Sequence, residues 1–226
     1  MNLSAYPINV LMCTNFTPTR NQSWLKERFG ITIPSDQYPL EVYPGSPSPF
    51  LIKSLKSGEI KCGLAEFGLI PGWAKDKKIQ RFTYNARSET VLSKPSFKYS
   101  WSNRRFGICL VDGFYEPNYE SGKAVRWCIE RQDKQPIAIA SLWDVWVYPD
   151  DGQKVVSFTM LTCNSDSHPV MNRFHKTDEE KRTPVVLNDD QLLAWLTITP
   201  DNALHFMNYN QFPPLITTPA PIKPSR

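Results

Sequence analysis

Long apolar runs are missing from this 226-residue chain. No stretch approaches the roughly 20 residues that a membrane-spanning helix needs, so none is expected. The opening MNLSAYPINVL has no basic start, no sustained apolar centre and no small-residue cleavage pattern, and therefore does not read as a secretory signal. Cysteine is sparse. The five present (Cys13, Cys62, Cys109, Cys128, Cys163) are widely spaced and form no CxxC, which argues against both a disulfide framework and a zinc site. Cys62, Cys109 and Cys128 lie in apolar, strand-like runs and are expected in the core, while Cys163 follows another such run and is ambiguous. A reducing cytoplasm fits this usage. The chain also lacks internal repeats, low-complexity tracts, a metal-ligand cluster and a Gly-rich phosphate loop, so neither a metal nor an organic cofactor is called for. A strong charge of one sign is absent too. A net +4 permits a nucleic-acid partner without requiring one.

What is present is enough apolar residue, 41% of the chain, to bury one substantial core. NQSWLKERFGI (21–31) reads as a short helix with a polar cap. PSDQYPLEVYPGSPSPF (34–50) holds too many prolines for regular structure and reads as an ordered loop. EIKCGLAEFGLI, RFGICLVDGFYE, AVRWCIER, PIAIASLWDVWV and KVVSFTMLTC are rich in β-branched and aromatic residues and bounded by turn-formers, and so predict strands. Helical patterns follow at SETVLSKPSFKYSW, where Pro95 starts or interrupts one, at NDDQLLAWL and at PDNALHFMNY. The tail PPLITTPAPIKPSR reads as draped on the surface or frayed. Strands in succession with inserted helices predict an α+β fold, a single domain built on a curved, barrel-like, mainly antiparallel sheet with flanking helices.

Four stretches carry chemistry. GLIPGWAKD (68–76) ends a strand in a Pro-Gly turn with Trp73 at its exit. YNARSET (84–90) groups Asn85, Arg87 and Glu89. LVDGFYEP (110–117) brings an apolar strand to Glu116. MNRFHKTDEEKRTPVVL (171–187) sets His175 in a polar segment before a strand. Each has a plain structural reading: a turn-capping aromatic, an ordinary ion pair, a solvated strand end, a surface histidine. Together, and in this order, they resemble the SRAP family, the SOS response-associated peptidase domain proteins, from Cys13 to about Leu187. That family starts with Cys directly after the initiator Met, so Met12-Cys13 looks like its N-terminus, and residues 1–12 look like an extension ahead of a domain spanning 13–226. Two positions depart from the family pattern. Asn15 stands where an arginine expected to touch phosphate is usual, and Pro117 stands where Trp usually follows the catalytic Glu.

The resemblance implies a protein of the DNA damage response that binds single-stranded DNA and traps abasic sites as a covalent thiazolidine. It implies an abasic-site crosslinking, lyase-like enzyme of the cytoplasm and nucleoid, with abasic single-stranded DNA as partner and no membrane. Carried over residue by residue, Cys13 supplies amine and thiol, Glu116 shuttles protons, His175 helps open the sugar ring, and Asn85 holds the amine or a hydroxyl. Trp73 and Arg87 face the DNA, with Arg87 gripping a phosphate. His175 is preferred to His168 because Phe174-His175 and Arg182-Thr183-Pro184 match the family's apolar-His and Arg-x-Pro halves, separated here by KTDEEK. From the residues alone, KPSFKYSWSNRR (94–105) offers Arg104 and Arg105 as phosphate contacts, while Phe97 and Trp101, four apart, read as the buried face of a helix.

An amide nitrogen at Cys13 cannot form a Schiff base. Three alternatives therefore stay open: translation from Met12, self-cleavage before Cys13, or a retained extension with another function. The rival functions are a cysteine peptidase using Cys13, His175 and Asn85, and a non-catalytic nucleic-acid or protein-binding module.

Overall fold

The computed structural model describes residues 14–34, 37–54 and 56–222, so Cys13 and the extension expected at 1–12 lie outside the described residues. Eleven strands are described: β1 (Phe16–Pro18), β2 (Pro47–Lys53), β3 (Ile60–Phe67), β4 (Asn85–Arg87), β5 (Phe106–Asn118), β6 (Val125–Arg131), β7 (Ile137–Val147), β8 (Lys154–Asn164), β9 (Arg182–Pro184), β10 (Val186–Leu187) and β11 (Leu215–Pro219). Five of them close a ring in the order β2–β3–β8–β7–β5 and back to β2. All neighbours in the ring are antiparallel except β3 and β8, which run parallel. The expected barrel-like α+β domain is thus a closed mixed barrel with extra strands and a few helices.

Most of β5, β7 and β8 is buried on both faces, which is why they read as near-continuous apolar runs, whereas β3 is more exposed over its first half. Phe50, Cys109, Val111, Ile139, Phe158 and Met160 fill the barrel. Their neighbours Leu51, Ile108, Leu110 and Ala138 face outward under the helices. Helix α1 (Gln22–Phe29) starts where the Asn21 side chain accepts from the Trp24 amide and stops at Gly30, which takes the left-handed conformation. Helix α2 (Pro95–Ser102) has Pro95 in its first turn, and it buries the Phe97 and Trp101 face that their spacing predicts. Helix α3 (Leu192–Thr197) inserts Trp195, whose indole N–H donates to the Gly107 carbonyl at 2.9 Å.

One irregularity positions the site. Val111 and Phe114 both face the barrel interior, although strict alternation would send Phe114 outward. The register of β1 against β5 slips by one residue between Thr17 and Pro18, leaving Asp112 as the extra residue of a β-bulge. The bulge reverses the alternation and turns Glu116 inward with Phe114.

Two expectations are corrected. The end of the proline-rich stretch is strand β2. It pairs with β3 from Pro47 onward but with β5 only over Phe50–Ile52, so Pro47 and Pro49 sit in an edge portion where a missing N–H is tolerated. The proline-rich tail is also not merely draped, because β11 pairs with β6 from Leu215↔Arg131 to Pro219↔Trp127.

Gly107 tests the packing between ring and helices. A Cβ there would lie 2.4 Å from the Phe50 ring and 2.8 Å from the Leu51 carbonyl oxygen, and the latter is backbone that cannot step aside. Gly107→Ala is expected to cost about 2 kcal/mol and lower the thermal midpoint by roughly 6 °C, measured by circular dichroism melting.

Candidate active site

Glu116, near the end of β5, is 2% exposed, and His175 is 6% exposed. They meet across 3.6 Å between Glu116 Oε2 and His175 Nε2, which also lies 3.3 Å from the Arg182 main-chain oxygen. That separation is ion-pair range, and catalytic hydrogen bonds are often long until substrate is bound. The histidine backbone is left-handed, at φ +66°, an uncommon conformation for a residue with a side chain. It is held from both sides. The His175 amide donates to the Pro117 carbonyl at 3.0 Å, and the Lys181 ammonium donates to the His175 carbonyl at 3.2 Å. Asn118 adds a bond from its side-chain amide to the Arg173 carbonyl at 3.1 Å. A polar cleft of about 310 Å³ opens at His175, between Tyr119, Glu120, Asn172, Arg173, Thr177 and Lys181.

Asn85 and Arg87 reach the same end of the barrel through β8. Where β3 leaves β8, β4 takes its place, and where β7 leaves, β9 does, so that Arg87, Thr162 and Pro184 lie in one row. Asn85 is buried and Arg87 is exposed. Arg182 ties the row together. It is 2% exposed and donates to both Glu89 oxygens (3.3 and 2.8 Å), to Glu180 (2.6 Å) and to the Thr162 carbonyl (2.9 Å). Burial pushes the Glu89 carboxyl up, but the Arg182 guanidinium and main-chain donors outweigh it and hold the group below its ordinary value. Sequence reasoning used Arg182 only as a pattern match and overlooked this role. An arginine flanked by the apolar PVVL run was the available signal.

The remaining candidates lie elsewhere or differ in kind. Trp73 is 59% exposed, with its indole N–H 3.4 Å from the Pro95 carbonyl. Arg104 and Arg105 precede the far end of β5, about 35 Å from Glu116 along a straight strand. Arg104 donates to the Thr197 carbonyl. Arg105 pairs with the buried Asp144 and lies over the Tyr99 and Trp143 rings. The structure does not bring these two arginines to Glu116. His168 is also apart from Glu116 in its bonding. Its Nδ1 accepts from the Val170 and Met171 amides at 3.0 and 3.1 Å, and burial pushes its pKa down.

The two departures from the family pattern meet on one cluster. Asn15 and Arg126, the cross-strand partner of Pro117, both donate to Glu41. Arg126 stacks on the Tyr115 ring, and burial with the adjacent Glu41 pushes Tyr43 up to about 12. The four described thiols are similarly perturbed by burial. Cys62 and Cys128 are pushed up to about 11, Cys163 to about 12, and Cys109 well above its usual value. None of these four is a ready nucleophile.

Comparison with known proteins gives the family of the chain. The profile of the SOS response associated peptidase (SRAP) family matches residues 12–216. The chain belongs to this family. Relatives of this SRAP protein include the abasic site processing protein YoqW of Bacillus subtilis, 30% identical over 191 residues that cover 82% of this chain and 80% of that one. Another is the abasic site processing protein HMCES of Xenopus tropicalis, 29% identical over 180 residues, 68% of this chain and 52% of that one. A crystal structure of a Bordetella bronchiseptica protein superposes with a TM-score of 0.81 at 28% identity, covering 93% of this chain and all of the other. Among the described residues no helix is long and apolar enough to cross a membrane.

Replacing Arg182 removes a donor from the buried Thr162 carbonyl and a shared cation from two carboxylates. Arg182→Ala is expected to lose about 2–3 kcal/mol in urea unfolding. Arg182→Lys should recover little, because an ammonium lacks the planar, five-donor fork that meets Glu89, Glu180 and the Thr162 carbonyl from fixed directions. His168 makes a pH-dependent contribution. Because its folded pKa is depressed, the stabilisation is complete above the ordinary value of about 6.5 and is lost as pH falls through the folded value. His168→Asn, which keeps an acceptor, should flatten the slope of stability against pH below 6.5 in urea titrations.

Proposed function

We propose that this SRAP protein acts at abasic sites in single-stranded DNA and captures them covalently through Cys13. The observation that carries this reading is the buried Glu116–His175 pair at 3.6 Å, whose histidine also lines an open polar cleft, in a chain whose relatives are named abasic site processing proteins. A carboxyl and an imidazole in contact can pass a proton between donor and acceptor near neutral pH.

The chemistry follows from an aminothiol. An abasic deoxyribose opens to its aldehyde when a proton moves from the hemiacetal hydroxyl to the ring oxygen, a transfer suited to His175 and Glu116. The Cys13 α-amine adds to the aldehyde carbon, and the carbinolamine loses its oxygen as water to give an imine. The thiol on the adjacent carbon then adds to the imine carbon, its proton going to nitrogen, and a five-membered thiazolidine closes. One water leaves, and nothing is oxidised or reduced. An α-amine of pKa about 7.7–8.0 is partly neutral at pH 7, so the first step needs little activation. In this reading Asn85 orients the amine or a sugar hydroxyl without adding charge. Arg87 grips a flanking phosphate, and the exposed Trp73 offers a stacking face to a base. The reading requires a mature chain that begins at Cys13.

The test is the denatured intact mass of protein expressed from Met12, after mixing with an abasic single-stranded oligonucleotide. The expected product has lost Met12 and gained the mass of the oligonucleotide less one water. Cys13→Ala should abolish the adduct while leaving affinity for the oligonucleotide within about twofold, and Glu116→Gln should slow adduct formation by about 10²-fold or more. An unmodified mass for a chain that starts at Cys13 overturns the proposal. Protein cleavage that depends on Cys13, with no adduct, would replace it with the peptidase reading.

A further inference from the structure

Arg87, the exposed arginine of β4, already holds an anion. Its Nη1 donates to Glu180 Oε2 at 2.9 Å. Glu180 belongs to the KTDEEK segment between His175 and β9, and its other oxygen accepts from Arg182 at 2.6 Å and from the Asn164 side chain at 3.3 Å. The carboxylate is therefore fixed by donors other than Arg87. The segment around it is tied down as well. The Lys181 amide donates to Asp166 Oδ1 at 2.9 Å, the Ser165 amide donates to the Lys181 carbonyl at 2.8 Å, and the Lys181 ammonium reaches the His175 carbonyl. Arg182 is buried and committed to Glu89 and Thr162, so it cannot turn toward a ligand. Arg87 is exposed and can.

A carboxylate and a phosphodiester present the same feature to a guanidinium, namely two anionic oxygens in one plane. We infer that Glu180 is a built-in competitor that occupies Arg87 in place of a DNA phosphate and so lowers the affinity of this protein for undamaged single strands. The inference rests on the reading of Arg87 as a phosphate contact. Any strand entering past β4 must exchange its phosphate for the Glu180 carboxylate, and Glu180, held by Arg182 and Asn164, stays behind as a nearby like charge. Undamaged DNA has no way to offset that repulsion. DNA with an abasic site does, because a covalent bond retains it once it has reacted. Glu180 thus weakens the hold on any strand that has not reacted, and only a covalently captured strand stays bound despite it.

The experiment is fluorescence anisotropy with an undamaged, labelled single-stranded oligonucleotide across a series of NaCl concentrations. It compares the unmodified sequence with Glu180→Gln, Arg87→Gln, the double variant, and Glu179→Gln. Glu179→Gln removes the same charge from a neighbour whose ion-pair partner is Lys176 rather than Arg87. The expected result is roughly fivefold tighter binding for Glu180→Gln at low salt, a gain that shrinks as salt screens the pair. Glu179→Gln should change affinity by less than twofold, and the double variant should match Arg87→Gln. The inference is overturned if Glu180→Gln binds no tighter, if Glu179→Gln tightens binding equally, or if the gain persists without Arg87. If no form binds single-stranded DNA at all, the phosphate reading of Arg87 fails and this inference falls with it, a result distinct from binding that ignores Glu180.

Discussion

Arg182 is the interaction on which the functional end of the barrel depends. A guanidinium that is almost wholly buried must have its donors satisfied and its charge balanced, or the desolvation cost would exceed anything nearby. Here Glu89 comes from the segment after β4, Thr162 from β8 and Glu180 from the segment after His175. One side chain thereby fixes the relative positions of the strand that carries Asn85 and Arg87, the central strand β8, and the start of β9. The Arg182 main-chain oxygen also lies against His175 Nε2. The residue is a positioning element on this view. It aligns the groups around Glu116 and takes no part in proton transfer.

The second constraint is the bulge at Asp112. A regular β5 would carry Glu116 to the face opposite Phe114's barrel-filling neighbours and away from His175. A single unpaired residue shifts the alternation by one, and a carboxylate is carried into the hydrophobic barrel. Gly113 follows the bulge, and a Cβ there would meet the Cys128 sulfur at 2.8 Å, so β6 can approach closely only because that side chain is absent. Strand geometry, more than any local motif, decides which residues of GFYE face inward.

This division explains what the sequence showed and what it hid. β5, β7 and β8 were legible because burial on both faces leaves a near-continuous apolar run, and α1 was legible from its polar cap. The short strands β1, β4 and β9 were not, since three residues carry no period and their pairing is decided by β8 and β5. The prolines of β2 and β11 misled for the same reason, because an edge position is a property of the sheet and cannot be read from the residues that occupy it. At the site, the blocks around Asn85, Glu116 and His175 were visible as motifs, and the left-handed turn at His175 absorbs the KTDEEK segment without carrying the imidazole away from Glu116. Arg104 and Arg105 looked like a basic patch beside aromatics. In the structure Arg104 donates to the Thr197 carbonyl, and Arg105 pairs with Asp144 and lies over the rings of Tyr99 and Trp143, away from Glu116.

The fate of the arginines bears on how such a protein holds DNA. A formal charge of +4 suggests attraction to a polyanion, yet Arg87, Arg105, Arg126, Arg131, Arg173 and Arg182 each face a carboxylate within salt-bridge range. A cation already paired releases few counterions when a phosphate arrives, so each contributes less to affinity than the same residue standing alone. Asn15 follows the same trend, because it shares Glu41 with Arg126. On the proposed reading, these paired arginines add little electrostatic retention. If the proposed chemistry holds, the bond made by Cys13 carries the burden of staying on the strand, and the charged surface has only to let the strand in.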